Sequence, residues 1–154
     1  MLKKILIPIL LLFLTTCGYE AMYSQKNIAY HNFSISEIVL DGENNINIRI
    51  KSKLNNYTLV EKDKKFILKI KSSVEKITLA KNIAGDATKY RSVLKLGVQV
   101  VLENNLVNNL EIIESFDYDS IENTFDLKSY EREIQNTLAN TAIDKLIFKL
   151  TNIQ

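Results

Sequence analysis

The longest unbroken alternation in the chain runs from Tyr90 to Glu103, where Leu94, Leu96, Val98, Val100 and Leu102 share one face at period two. That spacing predicts a strand buried on one side. Phe66 to Lys71 repeats the pattern, with Phe66, Leu68 and Ile70 inward, and the strand continues past Ser72-Ser73 through Val74, Ile77 and Leu79. Phe33 to Leu40 alternates as Phe33, Ile35, then Ile38 and Leu40, a short strand with a phase slip, closed by Asp41-Gly42. Residues 43–57 fit two periods. Ile46, Ile48 and Ile50 alternate as in a strand, whereas Ile46, Ile50, Leu54 and Tyr57 step as in a helix. The helical stripe covers more of the segment, and a helix is predicted there. Asn104-Asn105 and Asn108-Asn109 predict a turn, Leu110 to Tyr118 a fourth strand, and the adjacent Ile112 and Ile113 a bulge.

From Asp126, a plausible N-cap, the pattern changes to steps of three and four: Leu127, Tyr130, Ile134, Leu138, Ala142, Leu146, Leu150 and Ile153. Roughly 27 residues of helix span about 40 Å, enough to cross a sheet diagonally. One-sided strands need a cover, and two amphipathic helices supply it. The expected fold is α+β: a two-layer sandwich with a four-stranded, mostly antiparallel sheet and both helices on one face.

The first residues follow another rule. Lys3 and Lys4 precede an apolar run from Ile5 to Leu14, and Leu14, Thr15 and Thr16 lead into Cys17-Gly18. This order is that of a secretory signal. The run is about half of the roughly 20 residues that a spanning helix needs, and Pro8 interrupts it. A leucine three before a cysteine resembles the bacterial lipobox. That resemblance implies cleavage between Thr16 and Cys17, a diacylglyceryl group on the Cys17 thiol and acylation of the new amine. Thr16 departs from the Gly, Ala or Ser usual at its position. Gly18, in place of the aspartate that marks inner-membrane retention in enteric bacteria, leans toward the outer membrane. The expected organisation is a signal peptide over 1–16, a lipidated tether over 17–32 with a polar stretch from Ser24 to Asn32, and one sandwich domain over 33–154.

Charge and composition narrow the function. Without Lys3 and Lys4, the 20 basic residues become 18 against 18 acidic ones, which argues against nucleic-acid binding. The single cysteine excludes an intramolecular disulfide and a cysteine-rich metal site. The only histidine, His31, falls in the polar arm, where exposure to solvent is the simplest expectation. Ala84-Gly85-Asp86 reads as a turn, and the acidic cluster Asp117, Asp119, Glu122 and Asp126 lacks calcium-loop spacing. No metal, cofactor or catalytic group is expected. One grouping stands out. Lys65, Lys69 and Lys71 on one strand, and Arg91 and Lys95 on another, would gather five cations opposite the core if the two strands pair. Like charges on adjacent strands are mildly unfavourable, so the patch is a candidate anion site, set against the plainer role of keeping a sheet face wet.

Cys17-Gly18-Tyr19, with Met22-Tyr23 just beyond, resembles the start of the LPS-assembly lipoproteins (LptE), in particular their alphaproteobacterial branch, which begin Cys-Gly-Phe followed closely by Pro-Leu-Tyr. Here Tyr19 stands for the phenylalanine and Ala21-Met22 for Pro-Leu. The resemblance extends in outline to the order of strand, helix, meander and terminal helix. It implies a non-enzymatic outer-membrane lipoprotein on the periplasmic side, held by its N-terminal lipid and seated in the lumen of the LPS-translocon β-barrel. Such proteins aid assembly of the barrel and insertion of lipopolysaccharide into the outer leaflet. The anion met by the basic patch would then be a lipid A phosphate or an acidic residue of the barrel. Two other roles fit the same residues: a lipoprotein activator of a periplasmic peptidoglycan synthase, and a stand-alone periplasmic lipid- or glycan-binding lipoprotein.

Overall fold

The computed structural model describes residues 31–102 and 105–153. The signal-like segment, the Thr16–Cys17 junction and the tether as far as residue 30 lie outside the described residues. Strand β1 (Phe33–Gly42) leads into helix α1 (Asn44–Thr58), then β2 (Lys64–Lys81), β3 (Ala87–Leu102), β4 (Asn105–Asp119) and helix α2 (Thr124–Thr151). The sheet order is β1-β2-β3-β4. β2, β3 and β4 pair antiparallel, and β1 lies parallel to β2 because α1 carries the chain back across the sheet. The result is a mixed four-stranded sheet in an α+β sandwich.

The period-two residues Phe66, Leu68, Ile70, Leu94, Leu96, Val98 and Val100 are all buried. Against them lie Ile46, Ile50, Leu54 and Tyr57 of α1, and Ile134, Leu138, Ala142, Leu146 and Leu150 of α2, with Ile153 just beyond its end. Ambiguity over residues 43–57 resolves to helix, and Ile48, which would have belonged to the alternating pattern, is exposed. Ala139 and Ile143 are buried as well, so the stripe on α2 is broader than the sequence suggested. The phase slip in β1 is a break in register between Ile35 and Glu37.

Four details differ from expectation. β4 begins at Asn105, so Asn105 and the pair Asn108-Asn109 are strand residues; hydrogen bonding along β3 overrides their turn preference. Ile112 and Ile113 form no bulge but take opposite faces, and the register shift instead falls where Val100 and Val101 meet Asn108 and Leu106. Asn123, not Asp126, caps α2: its side chain accepts hydrogen bonds from the backbone N–H groups of Phe125 and Asp126. His31 is half-buried rather than in open solvent. Its Nδ1 lies 3.0 Å from Thr151 Oγ1, and its ring packs against Phe33 and Tyr57. Burial pushes its pKa below the ordinary histidine value.

A candidate anion surface on the open sheet face

Both helices cover one face of the sheet, so the alternate residues of every strand look outward from the other. Pairing of β2 with β3 places Lys65, Lys69, Lys71, Arg91 and Lys95 on this uncovered face. The face is not single-signed, however. Arg91 grips Asp117 through two hydrogen bonds, Nε to Oδ1 at 2.6 Å and a second guanidinium nitrogen to Oδ2 at 2.8 Å. That pairing holds the Asp117 carboxyl below the usual carboxylate range and raises the guanidinium. Lys95 reaches Glu75 at 3.1 Å, and Lys65 reaches Glu61 at 2.6 Å, where the hydrogen bond from Lys65 holds the Glu61 carboxyl low. Among the described residues Lys69 and Lys71 have no carboxylate partner.

Strand register explains the surroundings of these two lysines. Val39, Lys69, Gln99 and Asn109 stand in one row across the four strands, and Asp41, Lys71, Gly97 and Glu111 form the next. Asp41 sits beside Lys71, but its Oδ1 accepts a hydrogen bond from Gly42 N at 2.9 Å and is turned into its own turn. A Cβ placed on Gly97 would meet nothing within 4 Å, so the centre of the second row is a gap. The gap is part of a shallow groove of about 420 Å³ whose lining includes Val39, Lys69, Lys71, Gly97, Gln99 and Asn109. Two ammonium groups and two amides can offer donors to an anion, while the Asp41 carboxylate, which also lines the groove, opposes one; the same groups offer donors and acceptors to hydroxyls.

The five cations were visible in the sequence, but their carboxylate partners were not. Glu75 meets Lys95, and Asp117 meets Arg91, only once the hairpin registers are set. Gln99 and Gly97 carried no sequence signal of their own, and Asn109 read as part of a turn. The acidic cluster separates in space: Asp117 and Asp119 belong to β4, Asp126 to the first turn of α2, and Glu122 to the connection between them. Among the described residues no group of three His, Cys, Asp or Glu side chains is close enough to hold a metal ion.

No protein-family model and no curated protein matches the chain. Solved structures do. Rare lipoprotein B from Shewanella oneidensis superposes with a TM-score of 0.53 at 17% identity, over 75% of this chain and 97% of that one. Lipoprotein B from Nitrosomonas europaea gives 0.53 at 15% identity, over 74% and 84%. A minor lipoprotein from Acinetobacter baumannii gives 0.57 at 9% identity, over 79% and 91%. At these identities the likeness establishes the fold: this chain is built as those lipoproteins are.

Proposed function

We propose that this chain is a lipoprotein anchored through Cys17 to the outer membrane, on its periplasmic side, and that it partners the LPS-translocon β-barrel, aiding its assembly and the insertion of lipopolysaccharide. The observation that carries the reading is the joint one of fold and leader. A sandwich shared with several bacterial lipoproteins follows a lipobox-like sequence whose cysteine is the only one in the chain. The Cys17-Gly18-Tyr19 start supports the narrower assignment to LPS assembly. Multiple acyl chains hold a protein firmly at a bilayer, whereas one chain does so only marginally. The domain needs no catalytic group in this role. It presents a surface, and Lys69 and Lys71 beside Gly97 are the part of it that meets lipid A phosphates or acidic residues of the barrel wall.

The test compares charge reversals within one face. Lys69→Glu with Lys71→Glu should weaken binding to purified LPS at low salt, with folding unchanged, because exposed substitutions usually alter stability by less than about 0.5 kcal/mol. Wild-type binding should fall as salt rises, since exposed charges are screened over roughly 8–10 Å. Lys95→Glu, a single reversal at a cation already paired with Glu75, should have the smaller effect. Equal affinity of wild type and the Lys69/Lys71 double variant would reduce the groove to a solvated sheet face.

A further inference from the structure

A purely anionic ligand leaves one wall of the groove beside Gly97 unexplained, because Asp41 lines that groove and repels an anion. Val39 and Asp41 of β1 stand in register with Lys69 and Lys71 of β2, so these side chains form a two-by-two block on the open face. Neighbouring strands lie about 4.8 Å apart, and residues two apart on one strand about 6.6 Å, so one small ligand can reach every corner. Two corners are ammonium groups, one is a carboxylate, and one is the side chain of Val39, which stays 44% exposed. Asp41 and Lys71 are neighbours but are not ion-paired, and neither has another charged partner among the described residues. Gly42 N–H engages Asp41 Oδ1, which leaves Oδ2 for a ligand. Glu37, one row before Val39, and Glu111, beyond Gly97, stand outside the groove lining.

We propose that this groove takes a zwitterion, a phosphate ester of ethanolamine, in preference to a bare anion. The phosphate lies between the ammonium groups of Lys69 and Lys71, with the Gln99 amide as a further donor. The ligand's own ammonium meets Asp41, and its ethylene link runs over the block beside Val39. A Cβ on Gly97 would meet nothing within 4 Å, so the floor there is open to the remainder of the ester. Asp41 then sets specificity: it weakens binding of a phosphate that has no amine and strengthens binding of one that has. Exposed ion pairs are individually weak, so the site suits an ester presented at high local concentration, on a membrane lipid or on a lipid-borne saccharide. The inference rests on the anion site at Lys69 and Lys71 of the proposed function, and it does not depend on the barrel.

The test titrates the full chain in maltoside micelles with phosphoethanolamine and with ethyl phosphate, its counterpart without the amine. The amide NMR signals of Gly97, Gln99 and Asn109 report binding. Wild type should hold phosphoethanolamine tighter by about threefold, the size that one exposed ion pair supplies. Asp41→Asn keeps an oxygen to accept from Gly42 N–H, so the turn is preserved while the charge is lost. In that variant ethyl phosphate should tighten and phosphoethanolamine should weaken. Lys69→Gln with Lys71→Gln should lose both. Micelles doped with phosphatidylethanolamine, compared with phosphatidylglycerol, identify the source. Shifts of the same amides with the former place the ester on a phospholipid, and binding of the soluble ester alone places it on a saccharide; either supports the site. Equal affinity of wild type for the two soluble esters, or tightening of both by Asp41→Asn, would show that Asp41 merely offsets Lys71 and would overturn the inference. Loss of ethyl phosphate in the lysine double variant would then still leave the anion site standing, so the two readings fail separately.

Discussion

Gly42 is the residue where the backbone allows least choice. Its φ is +97°, and a Cβ added there would lie 1.9 Å from the Ser72 carbonyl oxygen. Only glycine lets β1 turn into α1 while passing so close to β2, and the neighbouring Glu43 N–H then donates to that same carbonyl at 3.4 Å. Gly42→Ala should cost about 1–3 kcal/mol or more, read from urea unfolding, whereas Gly85→Ala, at φ +92° but with open space around it, should cost less. At the opposite side of the core, His31 offers a test by pH. Its pKa is lowered by burial, so below about 6.5 the unfolded chain binds a proton that the folded chain resists. Its contribution to stability is therefore present above that pH and is lost as pH falls toward the folded value. The wild-type melting temperature should fall more steeply between pH 7.5 and 5.5 than that of His31→Gln. Parallel curves would show that the ring titrates freely.

At the scale of elements, α2 separates what a pattern can show from what it cannot. From Ile134 onward its buried stripe was legible because a sheet-covering helix must repeat every three to four residues, whereas Tyr130, which the same spacing placed in the stripe, is exposed. Its start was not, because Asp126 stands directly before the stripe while Asn123 precedes the exposed Phe125. Asn123→Ala should cost about 1 kcal/mol of stability by thermal or urea unfolding, and Asp126→Ala clearly less. The same division runs through β4. Its apolar residues announced a strand, yet Asn105, Asn108 and Asn109 read as a turn because local preference says nothing of the ladder that β3 imposes. α1 was ambiguous for a related reason: three isoleucines two apart satisfy a strand as well as part of a helix, and the burial of Leu54 and Tyr57 decides it. The candidate site depended on register to a greater degree. Sequence placed five cations on one face, but neutralisation of Arg91 by Asp117 and of Lys95 by Glu75 arises from strands brought together over 26 and 20 residues of sequence.

Across the whole molecule, the two ends of the sheet differ. His31, the last turn of α2 and the start of β2 meet at one end, joined by His31 to Thr151 and by Lys64 Nζ donating to the Ile153 carbonyl at 3.0 Å. The hairpin turn between β2 and β3 closes the other end, where Asn82 and Asp86 hydrogen-bond each other and Ile83 is fully exposed. The described domain thus begins where its terminal helix ends. Cys17→Ser should abolish incorporation of labelled palmitate and leave a larger, unprocessed precursor; equal labelling of both chains would remove the anchor from the account. The most direct test of the central claim is capture of the tagged full-length chain from detergent-solubilised membranes, with its partners identified by mass spectrometry. The account predicts an outer-membrane LPS-translocon β-barrel recovered with wild type and reduced with Cys17→Ser. Recovery of a peptidoglycan synthase in its place, or of the chain without any barrel, would contradict it.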